Sequence, residues 1–280
     1  MSLLTSSAGV GGITPDDYGP LIVQPVERES VALQVATQLA TTGTTVHIPV
    51  VQTDAGASYV AEGAEIAPTD AALGELVITP PKIAGLSIVS TELSEDSNPA
   101  AQQMIGNGLA RSIARALDSA FFSALPAPAP PGLEAVAGVG TVKAGTAINN
   151  ADAFLTAISQ AEEQGATLTA FVAHPSDALA LGKLKQAKDS NVPLLGNDST
   201  LPTRRTVLGV PIHVCSAVKP GTIWGLPKDR VMIVMRRDVR VDVSTDAKFT
   251  SDQVAVKATM RAAGAFPHPA AIQKITIGAA

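Results

Sequence analysis

The chain has 280 residues, enough for about two domains. It is 46% hydrophobic but only 3% aromatic, so its cores must be filled by Ala, Val, Leu and Ile. A net charge of −5 counts against a dedicated nucleic-acid binder, and the single Cys215 excludes an intrachain disulfide or a cysteine-rich metal site. The chain also lacks an apolar run of about eighteen residues and a basic-then-apolar N-terminus, which points to a protein made and kept in a cytoplasm, with no membrane partner.

Residues 1–25 are rich in Gly, Ser and Pro and read as an extended arm. Val31, Val35 and Leu39 stand at four-residue spacing and predict a short amphipathic helix over 27–39. The β-branched run 44–51 predicts a strand. Two strand-like runs, 57–61 and 73–79, flank a tip with Gly63, Pro68 and Asp70 and predict a long hairpin. That hairpin is acidic, with Glu62, Glu65, Asp70 and Glu75, and no Lys or Arg lies between Arg28 and Lys82. It has too little apolar content to fold alone, so it is expected to dock on another chain.

A strand over 83–93 leads into one long helix over 98–125. Asn98 suits its N-cap and Pro99 its first position. Ile105, Leu109, Ile113, Leu117 and Phe121 form its apolar stripe, and Gln103, Asn107, Arg111, Arg115 and Asp118 a polar one. Pro126, Pro128, Pro130 and Pro131 stop it. At 1.5 Å per residue such a rod is roughly 40 Å long.

Beyond the prolines the texture becomes α/β. Helices are predicted over 151–164, capped by Asn150 and closed by Gly165, and from Ser176 or Asp177 to about Lys188. A polar loop spans 189–205, and strands are predicted at 168–173, 207–214, 222–224 and 231–235. Val239, Val241 and Val243 alternate with charged residues, and further strands follow at 254–261 and 272–277. These closing strands are expected to return to the first domain and give the long helix a sheet to cover. Residues 132–228 then form an inserted second domain.

No catalytic pattern emerges. His47, His174, His213 and His268 are scattered, without metal-ligand spacing, and Cys215 sits in a strand-like run as a small apolar residue. Gly9 to Gly12 lacks the Lys-Ser or Lys-Thr that a phosphate loop needs, and Glu162 with Glu163 cannot face one substrate from one helix. No cofactor is implied, and a soluble α/β enzyme is left as a rival reading with no residue in its favour.

The order of parts resembles the major capsid protein of tailed bacteriophages, the Hong Kong 97 type. Four stretches carry the resemblance: YVAEGAEIAPTDAALGELVITPPKIAGLSIVSTELSEDSNP at 59–99, FVAHPSDALALGKLKQAKDSNVPLLG at 171–196, LGVPIHVC at 208–215, and RVDVSTDAKFTSDQVAVKATMRAAGAFPHPAAIQKIT at 240–276. The resemblance implies an α+β fold with an N-terminal arm and short helix (1–46), an extended β-hairpin loop (47–85), a peripheral domain with a spine helix (86–131 and 229–280) and an inserted axial domain (132–228). It implies a structural subunit, not an enzyme. The subunit would self-assemble into hexamers and pentamers of an icosahedral shell in the host bacterial cytoplasm, enclosing double-stranded DNA. Portal protein, and scaffolding or decoration proteins, would be partners. An encapsulin-type compartment with the same fold is the nearest alternative.

In that frame Glu62, Glu65, Asp70 and Glu75 are the expected extended-loop contacts. Arg111, Arg115, Arg204, Arg205, Arg236, Arg237 and Arg240 are the candidate basic surfaces that receive them. Gly106 and Gly108 are candidate bend points of the spine helix. Some relatives join a loop lysine to an asparagine of a neighbour, with a glutamate as base. Here the hairpin has no lysine, no asparagine follows Asn197 and no glutamate follows Glu163, so a non-covalent shell is expected.

Overall fold

The computed structural model describes residues 30–53, 55–57, 59–60, 63, 65, 69–90, 100–187, 190–195 and 205–278. Two sheets, a projecting hairpin and one long helix make up the described fold. Helix α1 (Val31–Val35) begins at Ser30, whose Oγ accepts from the Leu33 N–H at 3.3 Å. The expected helix over 27–39 is therefore shorter. Its start at 27–29 lies outside the described residues, and Thr37–Ala40 forms strand β1 instead. Main-chain pairing overrides the helical spacing here: the Thr37 N–H donates to the Val231 carbonyl and that of Thr41 to Met235, both at 2.8 Å.

Strand β2 (Val46–Thr53) pairs antiparallel with β3 (Ala72–Ile78) as the hairpin. The run at 57–61 was expected to be the partner of 73–79, and the structure replaces it with 46–53. Register explains the choice, because Val46 opposes Ile78 and Ile48 opposes Leu76, which gathers the apolar residues onto one face. Thr79, Pro80 and Pro81 then lead to β4 (Lys82–Ser90).

The long helix α2 covers Ala100–Phe122, with Leu109, Ile113, Leu117 and Phe121 all buried as their spacing predicts. Asn98 and Pro99 lie outside the described residues. It packs on a four-stranded sheet whose order is β1-β10-β11-β4, with β10 at Met232–Lys248 and β11 at Gln253–Ala265. Ala258, Met260 and Ala262 of β11 belong to the same buried cluster as Leu109, Ile113 and Leu117 of α2. The separate runs expected at 231–235 and 239–243 are one strand, irregular between Met235 and Arg240.

A six-stranded sheet follows the order β5-β12-β9-β6-β8-β7. Its strands are β5 (Gly140–Lys143), β6 (Ala170–Ala173), β7 (Arg205–Val207), β8 (Val210–Val214), β9 (Thr222–Leu226) and β12 (Gln273–Thr276). Helices α3 (Asp152–Glu163) and α4 (Pro175–Gly182) accompany it. Helix α4 ends well before Lys188, because Leu184 and Lys185 turn into a bridge with Leu194 and Pro193. The single strand expected at 207–214 is a hairpin that turns at Leu208 (φ 51) and Gly209 (φ 82), the paired positive φ values of a tight two-residue turn.

One expectation about chain return is overturned. The run 272–277, expected in the first domain, forms β12, which lies between β5 and β9 of the six-stranded sheet. Strand β9 is buried at all five residues and so needs a neighbour on each side, which β6 and β12 supply. Only β10 and β11 return to the first sheet. The two sheets also share a core: Val172, Trp224 and Leu226 join α1, α2 and Ile233 in one cluster. The opposite face of the six-stranded sheet packs Phe171 against Phe154 of α3, with ring centroids 5.0 Å apart.

Candidate self-association surfaces

The hairpin has two apolar faces. Val46, Ile48, Val50, Leu76 and Ile78 are half-buried on one, while Val51, Leu73 and Val77 are exposed on the other by 53%, 73% and 51%. On the exposed face His47 Nδ1 lies 2.7 Å from Glu75 Oε1, so Glu75 already has a partner within its own chain. Glu65 and Asp70 are exposed near the tip, and Glu62 lies outside the described residues.

The four-stranded sheet has one face under α2 and one without cover among the described residues. Strand pairing places Arg261 beside Lys82, Thr259 beside Arg240 and Ala84, and Lys257 beside Asp242 and Leu86. Lys82, Arg240, Lys257, Arg261 and Asp242 line a shallow groove of about 220 Å³ there. Arg240 Nε donates to Asp242 Oδ1 at 2.7 Å, and Lys257 Nζ approaches Oδ2 at 3.1 Å. Partial burial works against the Asp242 anion, but the hydrogen bonds from Lys257 and Arg240 and their charges outweigh it and hold the carboxyl below its ordinary value. Four cations around one carboxylate leave this face net positive.

Of the basic residues expected to receive the hairpin, Arg240 lies in this groove. Arg237 sits on β10 opposite Arg261, and Arg236 beside it is half-buried. Arg111 and Arg115 are exposed on α2, across the sheet from the groove, and Arg205 is exposed on β7 of the other sheet. Arg204 lies outside the described residues. The seven arginines thus do not form one surface. Lys82, Lys257 and Arg261 complete the groove and were missed. Alternation with the buried Ala258, Met260 and Ala262 was the signal for Lys257 and Arg261.

Helix α2 runs without interruption through Gly106 and Gly108. Added at Gly108, a Cβ would approach only Arg111 Nη2, at 3.9 Å, so packing does not demand glycine there.

Asp118 falls by spacing on the polar stripe of α2 with Arg111 and Arg115, yet unlike them it is buried, at 6% exposed. It accepts from Ser30 Oγ at 2.7 Å, from the N–H groups of Ala32 at 3.0 Å and Val31 at 3.2 Å, and from Cys215 Sγ at 3.7 Å. Its carboxylate therefore caps α1, the root of the N-terminal segment, and ties it to the end of β8. Burial pushes its carboxyl above the ordinary value against these hydrogen bonds. Burial, with the charge of Asp118, pushes the Cys215 thiol up to about 11. Cys215 is thus a buried packing residue, and its thiol is far from a poised nucleophile.

Solved structures share this fold. The capsid of an empty GTA particle is 22% identical, with a TM-score of 0.73 over 88% of this chain and 89% of that one. A chain from Microbacterium phage Oxtober96 is 21% identical, with a TM-score of 0.73 over 89% and 91%. A virus-like particle from Pyrococcus furiosus is 12% identical, with a TM-score of 0.64 over 93% and 98%. No curated protein matches the sequence. The α+β, Hong Kong 97-type fold expected from the order of parts is the one these capsid shells share. The phage capsid family model matches residues 11–277, so the chain belongs to the phage capsid family and is a major capsid shell protein, not an enzyme.

Proposed function

We propose that this subunit closes into an icosahedral shell around double-stranded DNA in the host cytoplasm, with the hairpin reaching onto a neighbouring copy. The observation that carries the reading is the hairpin itself. Two strands with apolar side chains on both faces have no core of their own and are marginal in water. A second chain would cover what this one leaves open. In this reading 47–85 is the extended loop, 86–131 with β10 and β11 the peripheral domain, and the six-stranded sheet, β12 included, the axial domain. The acids at the tip, Glu62, Glu65 and Asp70, meet the basic groove of Lys82, Arg240, Lys257 and Arg261 on a neighbour. Each exposed ion pair contributes only about 0.2–1 kcal/mol, so burial of Leu73 and Val77 supplies most of the affinity. Portal, scaffolding or decoration proteins complete the particle. Electron microscopy of the purified protein tests the reading: uniform closed shells support it, and a population of monomers or dimers alone defeats it. Cargo protein in place of DNA inside particles made during infection would favour a storage compartment.

A further inference from the structure

Arg111 and Arg115 of α2 are exposed and stand four residues apart, which puts them on one face about 6 Å from each other along the axis. Residues 100–122 contain a single acid, Asp118, and it is buried against α1. The open face of α2 is therefore cationic with no carboxylate of its own to offset it, in a chain of net charge −5. Its neighbouring residues Asn107, Gly108, Ser112 and Ser119 are uncharged. The Arg111 guanidinium lies back along the helix, since a Cβ on Gly108 would stand 3.9 Å from its Nη2.

A third cation extends this line. Cys215 Sγ contacts Asp118 Oδ2 at 3.7 Å, and Ser123 Oγ donates to the Ala217 carbonyl at 3.1 Å. Viewed down the helix, Asp118 and Ser123 lie about 140° apart, with the direction of Arg115 midway between them. The segment 215–217 thus crosses the end of α2 on the Arg115 side, and Lys219 follows it, exposed. The acid at this end, Asp177, is half-buried and accepts from the Gly221 N–H at 2.8 Å.

The far side of the molecule has the opposite sign. Helix α3 packs on the face of the six-stranded sheet turned away from α1 and α2. Its charges are Asp152, Glu162 and Glu163, all exposed, and it contains no Lys or Arg. The other basic surface, the groove of Lys82, Arg240, Lys257 and Arg261, lies across the four-stranded sheet from α2. In the proposed shell that groove is filled by hairpin acids, which leaves the cations of α2 unmatched.

We propose that the open face of α2, with Arg111 and Arg115 and continued by Lys219, is the lumenal surface of the shell and holds the phosphate backbone of the enclosed double-stranded DNA. This rests on the DNA-filled shell proposed above, and names the surface that meets its contents. Guanidinium groups take phosphate oxygens bidentately and read no bases, which suits DNA of any sequence. DNA carries one charge per about 1.7 Å of axis, so a duplex lying along α2 presents several phosphates within the span of the two arginines. Two or three phosphates neutralised per subunit make a weak contact, with a log–log salt slope of about −2 to −3. The negative balance of the chain excludes a dedicated nucleic-acid binder, but not a weak contact repeated in every subunit. With α2 inward, the acids of α3 are kept away from the DNA.

Photo-cross-linking in DNA-filled particles of the full-length chain, made during infection, tests this. With p-benzoylphenylalanine in place of Ser112, exposed beside Arg111 and Arg115, irradiation should join the chain to DNA. The same group in place of Leu155, 58% exposed on α3, should not. Arg111→Gln with Arg115→Gln should lower the Ser112 cross-link severalfold while particle yield is kept. A second variant needs no bulky side chain: Ser112→Cys should be shielded from a polyethylene-glycol maleimide in closed shells and react in unassembled chains. The native Cys215 is buried, with its thiol pushed up to about 11, and stays silent. Filled particles whose Ser112 position joins protein rather than DNA overturn the lumenal face and leave the shell reading standing. Equal DNA cross-linking from Leu155, an undiminished yield in the double arginine variant, or labelling of Ser112→Cys on closed shells does the same. Failure of the unmodified chain to form particles overturns both.

Discussion

Ser30 Oγ donates a 2.7 Å hydrogen bond to Asp118 Oδ1, joining positions 88 apart in sequence where the N-terminal segment enters the core. Three further donors converge on the same carboxylate. Asp118→Ala would leave the buried Ser30 hydroxyl and the Ala32 N–H unpaired, at about 1–3 kcal/mol for each orphaned group. Denaturant titration of the unassembled subunit should show a loss in that range, with Ser30→Ala losing less. An Asp118→Ala subunit as stable as the parent would remove the carboxylate from its capping role.

The same residue sets a pH dependence. Its folded carboxyl is raised above the ordinary 3.8, so in that window the folded chain holds more proton than the unfolded one. Stability therefore falls as pH rises from about 3.8 through the folded value, because ionisation in the buried site is disfavoured. Asp118→Asn has nothing to ionise. The stability difference between parent and Asp118→Asn should move against the parent as pH rises across this window. A difference that stays flat, or moves in the parent's favour, contradicts the raised carboxyl.

Cys215 gives a chemical readout of the same core. A thiol pushed up to about 11 and 5% exposed is almost wholly protonated and shielded at pH 8. Native subunit treated with iodoacetamide should stay unmodified, and denatured subunit should take up one label per chain. Rapid native labelling would show that the cluster around Asp118 opens.

Much of this was legible because it is periodic. The buried stripe of Leu109, Ile113, Leu117 and Phe121 follows from four-residue spacing alone, and the acids of the hairpin stand out in a segment without Lys or Arg. What misled was context. Asp118 shares the helical stripe of Arg115, yet the packing of α1 turns it into a buried cap, and no local pattern encodes that distant partner. Ile275 alternates as any strand would, and only the fully buried β9 dictates which sheet receives it. The basic groove combines residues of three strands, so it needed register before Lys82 could be placed beside Arg261.

Charge reversal separates assembly from folding. Glu65 and Asp70 are exposed, so Glu65→Lys with Asp70→Lys should leave the subunit's melting temperature nearly unchanged while reducing particle yield. Lys82→Glu with Arg240→Glu should act in the same direction, and combining both sets should restore part of the yield. Low salt should exaggerate the defect, as expected for solvent-exposed pairs. Shells that form as well from the reversed hairpin as from the parent would exclude the charge contact and leave Leu73 and Val77 as the anchors.

Covalent welding of the shell requires three groups in the right places: an amine, a carboxamide and a carboxylate that takes the proton. The hairpin has no lysine between residues 46 and 81, so no side-chain amine can travel with it to a neighbour. The strands after Asn197 hold no asparagine, and no glutamate follows Glu163. Asp242, the acid in the basic groove, is already held by Arg240 and Lys257 and kept anionic by them, which leaves it a poor proton acceptor. Particles boiled in denaturing detergent should therefore run as single chains of 28.5 kDa. A ladder of oligomers that survives boiling and reduction would show a cross-link made from other residues. Mass spectrometry of the joined peptides would then identify them.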